Sequence, residues 1–288
     1  MSDGEITRRD FVSATVAASI AAATGGQLSG QARIVESNVE IKTPDGTCDA
    51  AFIHSATGAH PAVIIWPDAF GLRPSMRDMA KRLVTEANYS VLVPNPFYRV
   101  GKGTFFEDAS KVDFAAERAK ITPLMGSIGA DGAVEKDAPA FVAWLDAQPQ
   151  VDKTKKIGTQ GYCMGGALVV RTAAAVPNRI GAGASFHGGG LVTANPNSPH
   201  LLAPKIKARM YFGVAASDDT PNPDVKVKLR EAFEAAKVPV EVELYSQAQH
   251  GWCVPDMPKQ ANGQPTYNKA DAEKAWSKLL ALYKAGLV

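Results

Sequence analysis

The sequence is poor in cysteine, nearly balanced in charge and free of long apolar runs, and each of these shortages closes off a class of protein. Its three cysteines, Cys48, Cys163 and Cys253, form no C-x-x-C pair, so neither a zinc site nor a thioredoxin-like redox motif is expected. No other motif calls for a metal or a cofactor, and none is expected. Lys+Arg 31 against Asp+Glu 29 gives a formal charge of +2. Without a dense Lys/Arg cluster, the electrostatic footprint of a nucleic-acid binder is missing. The Ala-rich stretch from Ala14 to Ala23 is too short to cross a bilayer, so no membrane span is expected. No repeat, low-complexity tract or linker follows it, and residues 33–288 read as one domain.

The N-terminal segment carries its own signal. Thr7-Arg8-Arg9-Asp10-Phe11-Val12 precedes the Ala-rich stretch, and Gly30-Gln31-Ala32 supplies small residues for a signal peptidase. Residues 1–32 therefore read as a twin-arginine signal peptide. The expected partner is the Tat export machinery, and the expected product is a periplasmic protein beginning near Arg33. In an oxidising compartment three cysteines leave at least one thiol unpaired, with Cys48 and Cys253 either bonded to each other or free.

What remains is a rhythm of short apolar runs and amphipathic stretches, the pattern of an α/β sheet protein. Val35 to Ser55 alternates around Thr43-Pro44-Asp45-Gly46, a turn between two strands expected to be exposed. Ala62 to Trp66 and Tyr89 to Val93 are uninterrupted apolar runs, as in buried parallel strands. Between them, Met76, Met79, Ala80, Leu83, Val84 and Ala87 recur at helical spacing behind Pro74. A looser, glycine-containing region spans Phe97 to Gly132, followed by a helix through Ala140 to Leu145. Strands are then expected at 156–160, 181–186, 209–214 and 240–245, with helices at 165–175, 224–236 and 268–284.

The chemistry concentrates at Gly161-Tyr162-Cys163-Met164-Gly165. Lying between a predicted strand and a predicted helix, it matches the nucleophile elbow, G-x-nucleophile-x-G, with Cys in place of Ser. A sharp strand-to-helix turn presses its flanking positions into close backbone contact, where a Cβ would clash. The helix N-terminus in turn favours a thiolate. The bland alternative is a buried, inert Cys in a Gly-rich turn.

A nucleophile needs a base, and in this fold the chain order is nucleophile, acid, histidine. His54 and His60 precede the elbow, and His200 lies in a polar loop. His187, in Phe186-His187-Gly188, follows a strand end, but no acid lies between it and the elbow. It reads as pocket lining, either touching substrate or making a structural hydrogen bond. His250, in Gln247-Ala248-Gln249-His250-Gly251, fits the order. Upstream lie Asp218 and Asp219, whose adjacent side chains cannot both face one imidazole. Asp218 is favoured because Ala215-Ala216-Ser217-Asp218 places it directly on the loop leaving a strand, with Asp219 the other candidate.

These residues, together with Pro67-Asp68-Ala69-Phe70-Gly71-Leu72, Asn95-Pro96-Phe97-Tyr98-Arg99 and His250-Gly251-Trp252, resemble the dienelactone hydrolase (carboxymethylenebutenolidase) family over nearly all the chain after residue 35. The resemblance implies an α/β-hydrolase fold, with a mostly parallel central sheet flanked by helices on both faces. It also implies a lactone or ester as small-molecule substrate. It assigns a triad to Cys163, Asp218 or Asp219, and His250, with oxyanion-hole amides on Ala69 and Met164. It suggests substrate-side roles for Asp68, Arg99, His187 and Trp252. Asp68 stands where the family carries a Glu that meets the thiol, and Arg99 matches the first of two carboxylate-binding arginines or is a solvated surface charge. Val254 occupies the place of the second. Two rival readings use the same residues: a peroxide-responsive thiol protein with Cys48 or Cys253 resolving Cys163, and a non-catalytic binder on the same fold.

Overall fold

The computed structural model describes residues 33–288. The export signal read at residues 1–32 lies outside them. Eight strands form one sheet in the order β1-β2-β4-β3-β5-β6-β7-β8. β1 (Ile34–Thr43) and β2 (Gly46–Ser55) make an antiparallel hairpin, and β2 runs antiparallel to β4 (Ser90–Pro94). From β4 onward every pairing is parallel, through β3 (Ala62–Trp66), β5 (Ile157–Tyr162), β6 (Ile180–Phe186), β7 (Arg209–Ala215) and β8 (Val240–Tyr245).

The apolar runs in the sequence explain this order. All five residues of β3 are buried. Ala62, Ile64 and Trp66 enter one core and Val63 and Ile65 the other, as period-2 alternation demands of a strand covered on both faces. Phe141 of α3 (Ala133–Asp146), Leu168 and Val169 of α4 (Met164–Ala175) and Phe233 of α6 (Asp224–Ala235) fill the first core. Met76 and Leu83 of α1 (Pro74–Ala87) and Trp276 and Leu279 of α7 (Lys269–Gly286) fill the second. Each such side chain contributes roughly 1.5–3 kcal/mol of transfer free energy. Helices on both faces of a mostly parallel sheet make this the α/β-hydrolase architecture.

Three expectations are corrected. β2 is not an exposed strand: its second half is buried because β4 and the helices cover it. The looser region contains a helix, α2 (Arg118–Gly129), whose periodicity is blurred by Pro123 in its middle and by the glycines Gly126 and Gly129. Ile121, Leu124 and Ile128 nevertheless give it a buried stripe. A four-residue helical turn, α5 (Ala216–Asp219), also replaces the expected loop after β7. No helix among the described residues is long and apolar enough to cross a membrane.

Candidate active site

The parallel strands β3, β5, β6, β7 and β8 all end on one edge of the sheet, where ligands bind in open α/β folds. The segments leaving them carry, in sheet order, Ala69, Cys163, His187, Asp218 and His250. The elbow is built as its glycines require. A Cβ on Gly161 would overlap the Gly165 carbonyl oxygen, and one on Gly165 would overlap the carbonyl oxygens of Trp66 and Pro67. Only glycines allow α4 to start so close to β3. Cys163 itself is forced to φ 53°, ψ −116°, a conformation costly for a residue with a Cβ and found where a turn is over-determined by its surroundings.

Cys163 is half-buried, and its N–H is shared between the Phe186 carbonyl (3.1 Å) and Nδ1 of His187 (3.1 Å). His187 also has a positive φ, 40°. Burial, then the neighbouring His250, holds its pKa well below the ordinary imidazole range. It is therefore neutral, and since Nδ1 accepts, its proton sits on Nε2, which is buried without a partner. Its ring packs edge-on against His250, with centroids 4.8 Å apart, and against Trp252 at 5.3 Å.

His250 is anchored by Asp218, whose carboxylate oxygens lie 2.9 and 3.0 Å from Nδ1, and by its own N–H donating to Ser217 Oγ at 2.8 Å. Burial alone would lower its pKa. Hydrogen bonding to Asp218 and to Cys163 outweighs burial, and the imidazole is pushed up to about 10. Imidazole and carboxylate are thus joined directly. The amides of Ala69 and Met164 donate to no carbonyl or side chain among the described residues, so both are available to a developing oxyanion. A cavity of about 300 Å³ adjoins the cluster, lined by His187, Asp218 and His250 together with Leu191, Val225 and Leu229. A larger one, about 500 Å³, lies between α1 and α7 and holds none of these residues.

Other sequence-selected residues lie elsewhere. Asp219 does not reach His250; Lys226 Nζ binds both its oxygens at 2.7 and 2.8 Å. Asp68 is not free to meet the thiol. It is 1% exposed, its oxygens accept from Arg73 at 2.7 and 2.9 Å, and one also accepts the Phe70 N–H. With one methylene less than Glu, it folds back onto its own loop. Arg99 does not line the cavity; its guanidinium spans Asp45 and Asp137. Trp252 is fully buried between Tyr245 and His187 and offers the cavity no surface. The three cysteines are free thiols, with Cys48 and Cys253 buried and both raised in pKa by that burial.

Sequence reasoning missed Arg73 and Asp256. Arg73 Nε and Nη2 donate to Asp256 at 2.7 and 2.8 Å, so one fully buried guanidinium clamps two carboxylates from different loops. A signal existed: Arg73 is the N-cap of α1, the end of a helix that repels a cation. Ser217 carried no comparable signal.

The dienelactone hydrolase family model matches residues 49–287. The chain is 28% identical over 214 residues to carboxymethylenebutenolidase of Rhodococcus opacus, covering 73% of this chain and 78% of that one. Among solved structures it resembles a dienelactone hydrolase-like promiscuous phosphotriesterase from metagenomic libraries, with TM-score 0.71, 23% identity, and 88% and 99% of the two chains covered. It also resembles dienelactone hydrolase from Anabaena variabilis, with TM-score 0.55, 15% identity, and 88% and 99% covered. With the elbow, the sheet order and a family match running from β2 to the last helix, the chain belongs to the dienelactone hydrolase family and is a hydrolase of lactone or ester bonds.

Proposed function

We propose that Cys163, His250 and Asp218 form the catalytic triad and that hydrolysis runs through a thioester on Cys163. The observation that carries this reading is the Asp218–His250 pair beside the elbow: Asp218 sits 2.9 Å from Nδ1, and the His250 ring packs 4.8 Å from the His187 ring that accepts the Cys163 amide. A proton held on Nδ1 by Asp218 leaves Nε2 to serve the sulfur.

The thiolate attacks the acyl carbon, and the carbonyl π electrons move onto oxygen, where the amides of Ala69 and Met164 stabilise the charge. Collapse reforms the carbonyl and expels the leaving oxygen, which takes a proton from His250. Water then loses a proton to His250, attacks the thioester, and releases acid and thiolate. Because a thiolate is itself a good leaving group, stabilised leaving groups such as enolates suit the first step, and simple alkyl esters are poor substrates. His187, kept neutral, holds the Cys163 amide without adding a second positive charge beside His250. The peroxide-responsive alternative is not favoured, because both candidate resolving thiols are buried and their pKa values raised.

The test is a slow activated ester followed by intact-protein mass spectrometry. One acyl group should map to Cys163, and Cys163→Ala should lose about 10⁴-fold or more in kcat. Wild-type turnover by Cys163→Ala would sink the assignment.

A further inference from the structure

The charges around the site bear on which substrates it accepts. Two arginines lie on segments that wrap the catalytic edge, and both forks are fully engaged. Arg73 gives Nε and Nη2 to Asp256 and Nη1 and Nη2 to Asp68, and no part of it is exposed. Arg99 gives Nε and Nη2 to Asp45 in the β1–β2 turn, at 3.1 and 2.9 Å. Its Nη1 and Nη2 go to Asp137 on α3 at 2.9 and 2.8 Å, and Asp137 is itself fully buried. Turning either guanidinium toward a ligand would strand a buried carboxylate, which is strongly unfavourable. Lys226 is likewise held by Asp219 and by the Pro223 carbonyl. Val254 is apolar and fully buried.

The cavity beside His250 has the opposite character. Among the described residues none of its lining is Lys or Arg, whereas Asp218 and Asp219 both contribute to it. Leu191, Val225 and Leu229 give its lining an aliphatic part. When His250 is protonated, Asp218 and Cys163 already face it. A substrate carboxylate placed here would lose its hydration and meet carboxylates instead of a guanidinium, and like charges brought together in a partly desolvated site repel strongly. At about 300 Å³, the space is also at the small end for ligand sites.

Resting on the triad reading above, we propose that the enzyme acts on compact, uncharged lactones or esters whose apolar part occupies this cavity, and discriminates against substrates carrying a carboxylate. The probe is a matched pair: an unsaturated five-membered lactone bearing a carboxymethylene group, and the same lactone with that carboxylate converted to its primary amide. Ring opening is followed by absorbance for wild type, Arg99→Ala and Cys163→Ala. The expected result is a kcat/KM at least about tenfold higher for the amide, with Arg99→Ala leaving the ratio unchanged. A preference for the carboxylate, or its selective loss in Arg99→Ala, overturns the inference while Cys163-dependent turnover keeps the triad. Turnover that survives in Cys163→Ala, or no turnover of either lactone by wild type, fails the triad reading and this inference with it.

Discussion

Two polar clusters lie at the C-terminal edge of the sheet and use the same building materials, yet they are finished differently. In the first, Arg73 joins Asp68 on the β3–α1 loop to Asp256 on the loop after β8. Asp68 also accepts from Phe70, and Asp256 from Ala109. Every nitrogen of the guanidinium is spoken for, and Arg73 and Asp68 are essentially inaccessible to water. In the second, Cys163, His187, Asp218 and His250 leave the His187 Nε2 proton unpartnered, hold two residues at positive φ and keep the Ala69 and Met164 amides unengaged. Saturation is what a structural clamp needs, since a half-satisfied buried network weakens a fold. Unspent capacity and local strain are what a reacting site needs. The clamp fixes the loop carrying Ala69 to the loop carrying His250, so the reactive cluster rests on the inert one.

The sharpest way to separate them is by substitution. Asp218→Asn should lower kcat by about 10²–10⁴-fold, because an amide no longer fixes the proton on Nδ1 of His250. Its thermal midpoint near neutral pH should fall only modestly, since the His250–Asp218 pair is partly exposed. Asp219→Asn, one position on, removes a contact to Lys226 and one charge from the cavity lining and should stay within about threefold of wild type on an uncharged substrate. Steady-state kinetics on both variants checks the pair; equal losses would mean that the two carboxylates share the role.

Arg73→Ala should show the reverse pattern. Removing the guanidinium leaves two carboxylates facing each other, one of them fully buried, and breaking such a pair costs about 3–5 kcal/mol. Urea unfolding should reveal most of that loss, with Arg73→Lys intermediate because it keeps the charge and loses the fork. A variant as stable as wild type would end the distinction between a holding cluster and a working one.

The same contrast governs how much was visible in the sequence. The elbow was legible because its glycines are steric requirements, and β3 because five apolar residues in a row permit only a doubly covered strand. The order of nucleophile, acid and base selected His250, and position after β7 favoured Asp218, which is the carboxylate found beside the imidazole. The saturated contacts were illegible. Nothing local says that Arg73 spans to Asp256, 183 residues away, or that Arg99 turns to Asp45 and Asp137. Such ion pairs depend on how loops from distant strands converge. Helix α2 escaped because Pro123 and two glycines weaken the periodicity that tertiary packing then overrides.

The smallest effects, and the most diagnostic, concern the two imidazoles whose rings lie 4.8 Å apart. His250 is raised to about 10 in the folded protein, against burial, by Asp218 and Cys163, and titrates near 6.5 when unfolded. The stability it contributes is therefore fully present below about pH 6.5 and is lost as pH rises through about 10. His187 is depressed by burial and by His250. Its contribution is present above about pH 6.5 and is lost as pH falls from there toward its folded pKa. With a third of the His250 side chain exposed, solvent screening keeps its effect modest. Thermal midpoints measured from pH 5 to pH 10 should consequently fall at both ends for different reasons. Asp218→Asn should flatten the alkaline limb alone. His187→Asn, whose Oδ1 stands in the place of Nδ1 and can still accept the Cys163 amide, should flatten the acid limb alone. If either substitution moved both limbs together, the rings would have to be treated as one coupled group, and the separation between a charged base and a neutral support would fail.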